Sequence, residues 1–165
     1  MQIISKLKSI LFLGLAFFTS LACLSYHPSD TSLNTAGNTV KNWCGSIGAI
    51  LSDILWQGFG ILTFVIIFAF LSWSICSWKQ KPIKNKSIFL LLSLILGCWL
   101  LVDLKEKDAH YLIAGQGGYL GFWLGRWGII SIWWIRTILW TIWTVLIIFA
   151  LALPIRLIFK RIIGS

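Results

Sequence analysis

The sequence predicts an all-α, polytopic membrane protein that crosses the bilayer four times, with both ends in the cytoplasm and a glycine-rich external helix lying at the interface. Three observations predict it. Hydrophobic residues make up 58% of the 165 residues and charged ones only 12%, with a mean hydropathy of +0.88, so a soluble globule would lack the polar surface to cover itself. Apolar runs approaching the ~20 residues that a bilayer demands recur along the chain. The net charge of +9 is gathered in short basic clusters beside those runs, the placement of cytoplasmic membrane edges rather than of a nucleic-acid surface. No aqueous segment is long enough for a core of its own.

The elements follow in order within a single transmembrane anchor domain, residues 1–165. Lys6 and Lys8 precede an apolar run, which predicts a first helix over about 8–25. Thr19, Ser20 and Ala22 are small enough for a processing site, and Ala22-Cys23 faintly resembles a lipoprotein box. That box wants an aliphatic residue where Ser20 stands, so the first helix is expected to stay uncleaved. Residues 26–52 read as an external loop, because Pro28, Asp30, Thr31 and Ser32 carry turn and helix-cap chemistry. Asp53, the last charge before Lys79, is placed at the outer interface, since a carboxylate in lipid is costly. A second helix is expected over about 54–77. The loop 78–86 holds Lys79, Lys81, Lys84 and Lys86 without an acid and is therefore cytoplasmic.

A third helix is expected over about 87–103. Residues 104–135 read as an external loop and interfacial helix, in which Gly117, Gly121 and Gly125 are spaced by four, and Gly118, Gly121, Gly125 and Gly128 by three or four, so that they would line one helix face. Membrane helices associate by close van der Waals approach, which such a face permits within a chain or between copies. Replacing Gly121 and Gly125 by Leu is accordingly expected to weaken self-association. Arg126 argues against a dry span here, and Trp123, Trp127, Trp133 and Trp134 suit an aromatic belt. A fourth helix over about 136–158 lies between Arg136 and the group Arg156, Lys160 and Arg161, which puts the C-terminal end in the cytoplasm.

Chemistry-bearing patterns are scarce. Cys23, Cys44, Cys76 and Cys98 form no CxxC or Cys/His pattern and read as small packing residues. His27 and His110 fall in the external loops without companion ligands and read as solvated. No nucleotide cradle, nucleophile elbow or zinc-protease motif occurs, so no catalytic residue, cofactor or metal is expected. A small transporter or channel subunit is the alternative class. It would need polar residues inside the bundle, for which the spans offer little beyond Asp53 and Arg136.

One stretch carries a resemblance. Ser25, Tyr26, Pro28, Asp30 and Ser32, then Asn42, then Gly45, Gly48 and Ala49, then Asp53, and finally Phe59 with Gly60 follow in the order and spacing of the N-terminal membrane domain of the FtsK/SpoIIIE family of DNA translocases. A later GGxxG element is matched by Gly117, Gly118 and Gly121, so the resemblance spans nearly the whole chain. It implies a membrane anchor that places a DNA motor at the division septum in the bacterial inner membrane and helps assemble the division machinery. It also implies the bilayer, further copies of the chain and division-machinery membrane proteins as partners. The motor of that family has no counterpart in these 165 residues, so the chain is expected to be no enzyme and to meet DNA only indirectly.

Overall fold

A computed structural model describes residues 2–33, 35, 39–102, 116–126 and 133–151. The described residues form six α-helices and no strand: α1 (Gln2–Leu24), α2 (Gly45–Phe59), α3 (Thr63–Trp78), α4 (Lys86–Leu101), α5 (Gly118–Gly125) and α6 (Trp133–Ala150). A 3-10 turn, Gly60–Leu62, joins α2 to α3. By length and composition α1 and the continuous Gly45–Trp78 segment are apolar enough to cross a membrane, and α4 and α6 are shorter apolar helices.

The helix pairs alternate in direction. Near its start α1 meets the end of α3, where Ser9 and Ser74 each donate a hydroxyl hydrogen bond to the other's backbone carbonyl, both 2.8 Å. Phe12 packs edge-on against Trp73 at 5.6 Å one turn along. Near its end α1 meets the beginning of α3, where Cys23, Leu55 and Ile67 form a small buried cluster. In the same way α4 runs against α6, with Phe89 stacked on Phe149 at 5.4 Å and the Trp143 indole donating to the Ser93 carbonyl at 2.8 Å. Gly97 makes that crossing close, because a methyl group there would run into the Trp143 indole and Leu62. Ala69 and Trp73 of α3 join Leu90, Leu94 and Cys98 of α4 in the main core.

The last turn of α6 is fastened to α3. The Ala150 carbonyl has no helical donor four residues on, since Pro154 lacks an N–H. The Trp73 indole donates to it at 2.8 Å, and the Ser72 hydroxyl donates to the carbonyl of Leu151. At the same end α3 stops in a Schellman motif. Lys81 N–H bonds the Cys76 carbonyl at 2.8 Å and Gln80 N–H the Ser77 carbonyl at 3.0 Å, with Gln80 in the left-handed region at φ 54°.

Two expected boundaries differ. The helix expected to open near residue 54 opens at Gly45, so the last residues assigned to the loop are helical. Gly48, Ala49, Ser52, Asp53 and Leu55 form its buried face at helical spacing, a pattern that the polar Ser52 and Asp53 disguise in the sequence. Asp53 therefore lies inside α2 and is 5% exposed. The first helix begins at Gln2 rather than near residue 8. In the segment expected to be external, α5 is helical, whereas residues 103–115 and 127–132 lie outside the described residues, as do 152–165 with the expected end of the fourth helix.

Candidate functional site

The carbonyls at the C-terminal end of α1 set the problem that the following loop solves. The last four carbonyls of any helix lack intrahelical donors, and leaving them bare in a low-dielectric setting is costly. Here the Leu21 carbonyl keeps the Ser25 N–H at 3.1 Å, and side chains reach it and the next two. The Ser25 hydroxyl donates to the Leu21 carbonyl at 2.7 Å, the Asn42 amide to that of Ala22 at 2.8 Å, and the Trp56 indole to that of Cys23 at 3.2 Å.

Asn42 is the hub. Its amide also lies 3.3 Å from the Ser52 hydroxyl, its carbonyl oxygen accepts the Cys44 N–H at 3.0 Å, and the residue is only 6% exposed. Gly48 is the space this requires, because a methyl group there would collide with Asn42 Oδ1 and Cys44 Cβ. Ala49 and Ser52, 2% and 0% exposed, continue the same tight wall.

Asp30 fixes where Asn42 sits. Its carboxylate accepts the backbone N–H groups of Lys41 and Asn42, each at 2.9 Å, which closes the loop upon itself. Asp30 is delivered by a turn in which its own N–H bonds the His27 carbonyl at 3.0 Å. Pro28 occupies the second position of that turn, where its fixed φ is pre-set. Ser32 donates its N–H to the Thr35 carbonyl at 3.0 Å.

Asp53 faces the same loop. Its Oδ1 accepts the Tyr26 hydroxyl at 3.0 Å and the Gln57 amide at 2.6 Å, and Tyr26 stacks on Trp56 at 6.4 Å. Burial first, and the Asp53 hydrogen bond second, push the Tyr26 phenol up from 10.0 to about 12, so it stays a donor across the physiological range.

The second part of the site is a glycine junction. Gly60 sits at φ 59° and breaks the helix, and the Thr63 hydroxyl reaches back across the bend to the Leu55 carbonyl at 2.9 Å. The Ile61 N–H is received by the Gln116 carbonyl at 3.0 Å. A side chain on Gly60 would strike the backbone of Gln116 and one on Gly118, at φ 63°, the backbone of Gly58. Gly117 and Gly121 lie against the Cys98 carbonyl of α4, and Gly125 against Val102. The glycine face is thus occupied within the chain.

The structure brings Asp30, Gly48, Ala49 and Asp53 into one cluster, with Pro28 and Ser32 shaping its loop, and Gly60, Gly117, Gly118 and Gly121 into another, with Gly125 one turn further. Sequence reasoning missed Gln57, Trp56 and Thr63; the spacing of Gln57 four residues after Asp53 was the available signal. Among the described residues no group of three or more His, Cys, Asp or Glu is placed to hold a metal. The arrangement caps, spaces and fastens helices.

Comparison with known proteins agrees with this architecture. Residues 2–163 match the family described as the 4TM region of DNA translocase FtsK/SpoIIIE. The chain is 31% identical over 122 residues to the DNA translocase FtsK of Rickettsia bellii (strain RML369-C), which covers 71% of this chain and 16% of that protein. It is 33% identical over 115 residues to the protein of the same name from Rickettsia typhi (strain ATCC VR-144 / Wilmington), covering 66% and 14%. The chain therefore spans about a sixth of the length of these relatives, within the part that bears the transmembrane helices. No solved structure matches it.

Proposed function

Because the chain belongs to the family of the 4TM region of DNA translocase FtsK/SpoIIIE, we propose that it is the inner-membrane anchor of a septal DNA translocase, acting in cell division and chromosome segregation. It holds both chain ends in the cytoplasm. The observation that carries this reading is the segregation of the two ends of the bundle. The loop after α1 bonds to α2 through Tyr26–Asp53 and Asn42–Ser52, and Ile61, next after Gly60, bonds to Gln116, so the residues expected outside up to 52 and after 104 gather at one end. Lys6 and Lys8 meet the 79–86 loop at the other end, where the Lys6 ammonium lies 5.8 Å over the Trp78 ring. The fastened end of α6 lies beside Trp73, on that same basic side.

In this reading α1, α3, α4 and α6 are the spans. Residues 45–78 would measure ~51 Å if straight, more than the ~30 Å hydrocarbon layer. The bend at Gly60 divides them into a spanning α3 and an outer α2, on which α5 rests as a short external helix. The outer loop offers its surface to membrane proteins of the division machinery, and assembly of several copies uses helix faces other than the glycine face. The chain meets DNA only through the rest of such a translocase and carries no ATPase chemistry itself. Buried Ser9, Ser52, Thr63, Ser74 and Ser93 are consumed by hydrogen bonds between or within helices, which leaves them no role in a transport path.

Labelling of single cysteines placed at positions 35 and 84, in a background with the native cysteines replaced, tests the topology. An impermeant thiol reagent added to intact spheroplasts reacts at 35 and not at 84; the reverse pattern overturns the reading. Loss of midcell fluorescence from a tagged full-length protein carrying Asn42→Ala, with its membrane content unchanged, tests the septal assignment.

A further inference from the structure

At the basic end, between the first turns of α1 and the loop after α3, lies a cavity of about 480 Å³. Its polar wall is made by Ser5, Lys8, Ser77, Gln80, Lys81 and Lys84. Segments 1–29 and 54–102, which supply both sides, contain no Asp or Glu, and the described acids Asp30 and Asp53 are bonded at the opposite end of the bundle. Three lysines therefore line the cavity without a carboxylate in its wall. The loop that carries two of them is held by the Schellman motif at Gln80, which spends the carbonyls of Cys76 and Ser77.

Ser77 is 3% exposed, and its hydroxyl is one of two buried side-chain polar atoms without a hydrogen-bond partner among the described residues. A serine inside a helix usually returns its hydroxyl to the carbonyl a turn earlier, as Ser20 does to Ala16 at 2.7 Å. Ser77 does not, and it lines this cavity. Ile4, Pro82 and Ile83 complete the lining with apolar surface, and Ile4 is continuous with Ile3, Leu7 and Leu11, exposed on the lipid-facing side of α1.

A lysine-lined pocket opening onto an apolar helix face suits a phosphodiester headgroup with its acyl chains laid along the helix. We propose that this cavity is a binding site for an anionic phospholipid, with Lys8, Lys81 and Lys84 holding the headgroup phosphate. Basic pockets between helices on the cytoplasmic side favour such headgroups, and the volume lies in the range of small-molecule sites. The leaflet follows from the topology proposed above; the binding does not.

The test uses the full chain in detergent micelles, with retained phosphatidylglycerol counted by native mass spectrometry against phosphatidylcholine. The wild type is expected to keep phosphatidylglycerol selectively, and Lys81→Gln with Lys84→Gln to weaken retention about fivefold for each lysine removed. Lys79→Gln with Lys86→Gln removes the same charge outside the cavity and is expected to leave retention unchanged. Equal losses in the two double variants, absence of selectivity, or full displacement by inorganic phosphate would each overturn the proposal. Because micelles have no sides, a cysteine-labelling result that reversed the topology would leave these outcomes standing, and the two ideas fail separately.

Discussion

Asn42 does at one position what three residues do at an ordinary helix end. It caps Ala22, orients Ser52 and receives the Cys44 N–H, and Asp30 clamps its backbone from the other side. Asn42→Ala is therefore expected to lower stability by about 2 kcal/mol, the cost of leaving buried carbonyl groups unsatisfied, read by denaturant titration in detergent. Lys41→Ala should cost almost nothing, since it keeps the backbone N–H that Asp30 uses. Tyr26 adds a pH signature. A phenol raised in the folded state adds stability that is complete below its ordinary value of 10.0 and lost as pH rises to about 12. Melting temperature should fall across that interval, and Tyr26→Phe should remove this component of the fall.

Between elements, the governing quantity is how closely backbones approach. Gly60→Ala forces a Cβ into a backbone conformation of φ 59° and ψ −134° that suits only glycine, at a cost of about 1–3 kcal/mol before any clash, and into the Gln116 backbone as well. Gly14 meets nothing within 4 Å and is an internal control, because Gly14→Ala in an open helix position should stabilise by up to ~1 kcal/mol. Gly121→Leu should destabilise the isolated chain by displacing α5 from the Cys98 carbonyl, seen as a lower melting temperature. Crosslinking between copies is the wrong readout for it, since the partner surface is α4 of the same molecule. The spacing of these glycines was legible in the sequence, as were the turn chemistry of Pro28 and Asp30 and the apolar runs of α1 and α3. Which backbone each glycine meets was not, because a three- or four-residue spacing fixes a face and says nothing of the neighbour. The start of α2 was obscured for a related reason. Ser52 and Asp53 look like water-seeking residues until Asn42, Tyr26 and Gln57 arrive from elsewhere to satisfy them.

Across the whole molecule, charge and small residues divide the labour. The basic end gathers Lys6, Lys8 and the 79–86 loop, and the opposite end carries the carboxyl clamps and the glycine junction. Inverting that asymmetry should invert insertion. Replacing Lys79, Lys81, Lys84 and Lys86 by Gln and adding lysines within 33–40 is expected to yield molecules labelled at 84 from outside, counted with the impermeant thiol reagent.

The joint between α6 and α3 bears on mechanics. A tug entering through residues beyond Leu151 does not simply peel α6 away from its neighbour. It is met at once by the Trp73 and Ser72 side chains gripping the final carbonyls, and these hand the strain to α3, whose serine clasp passes it to α1. Tension applied at that end would thus be shared among three helices before any one of them had to slip.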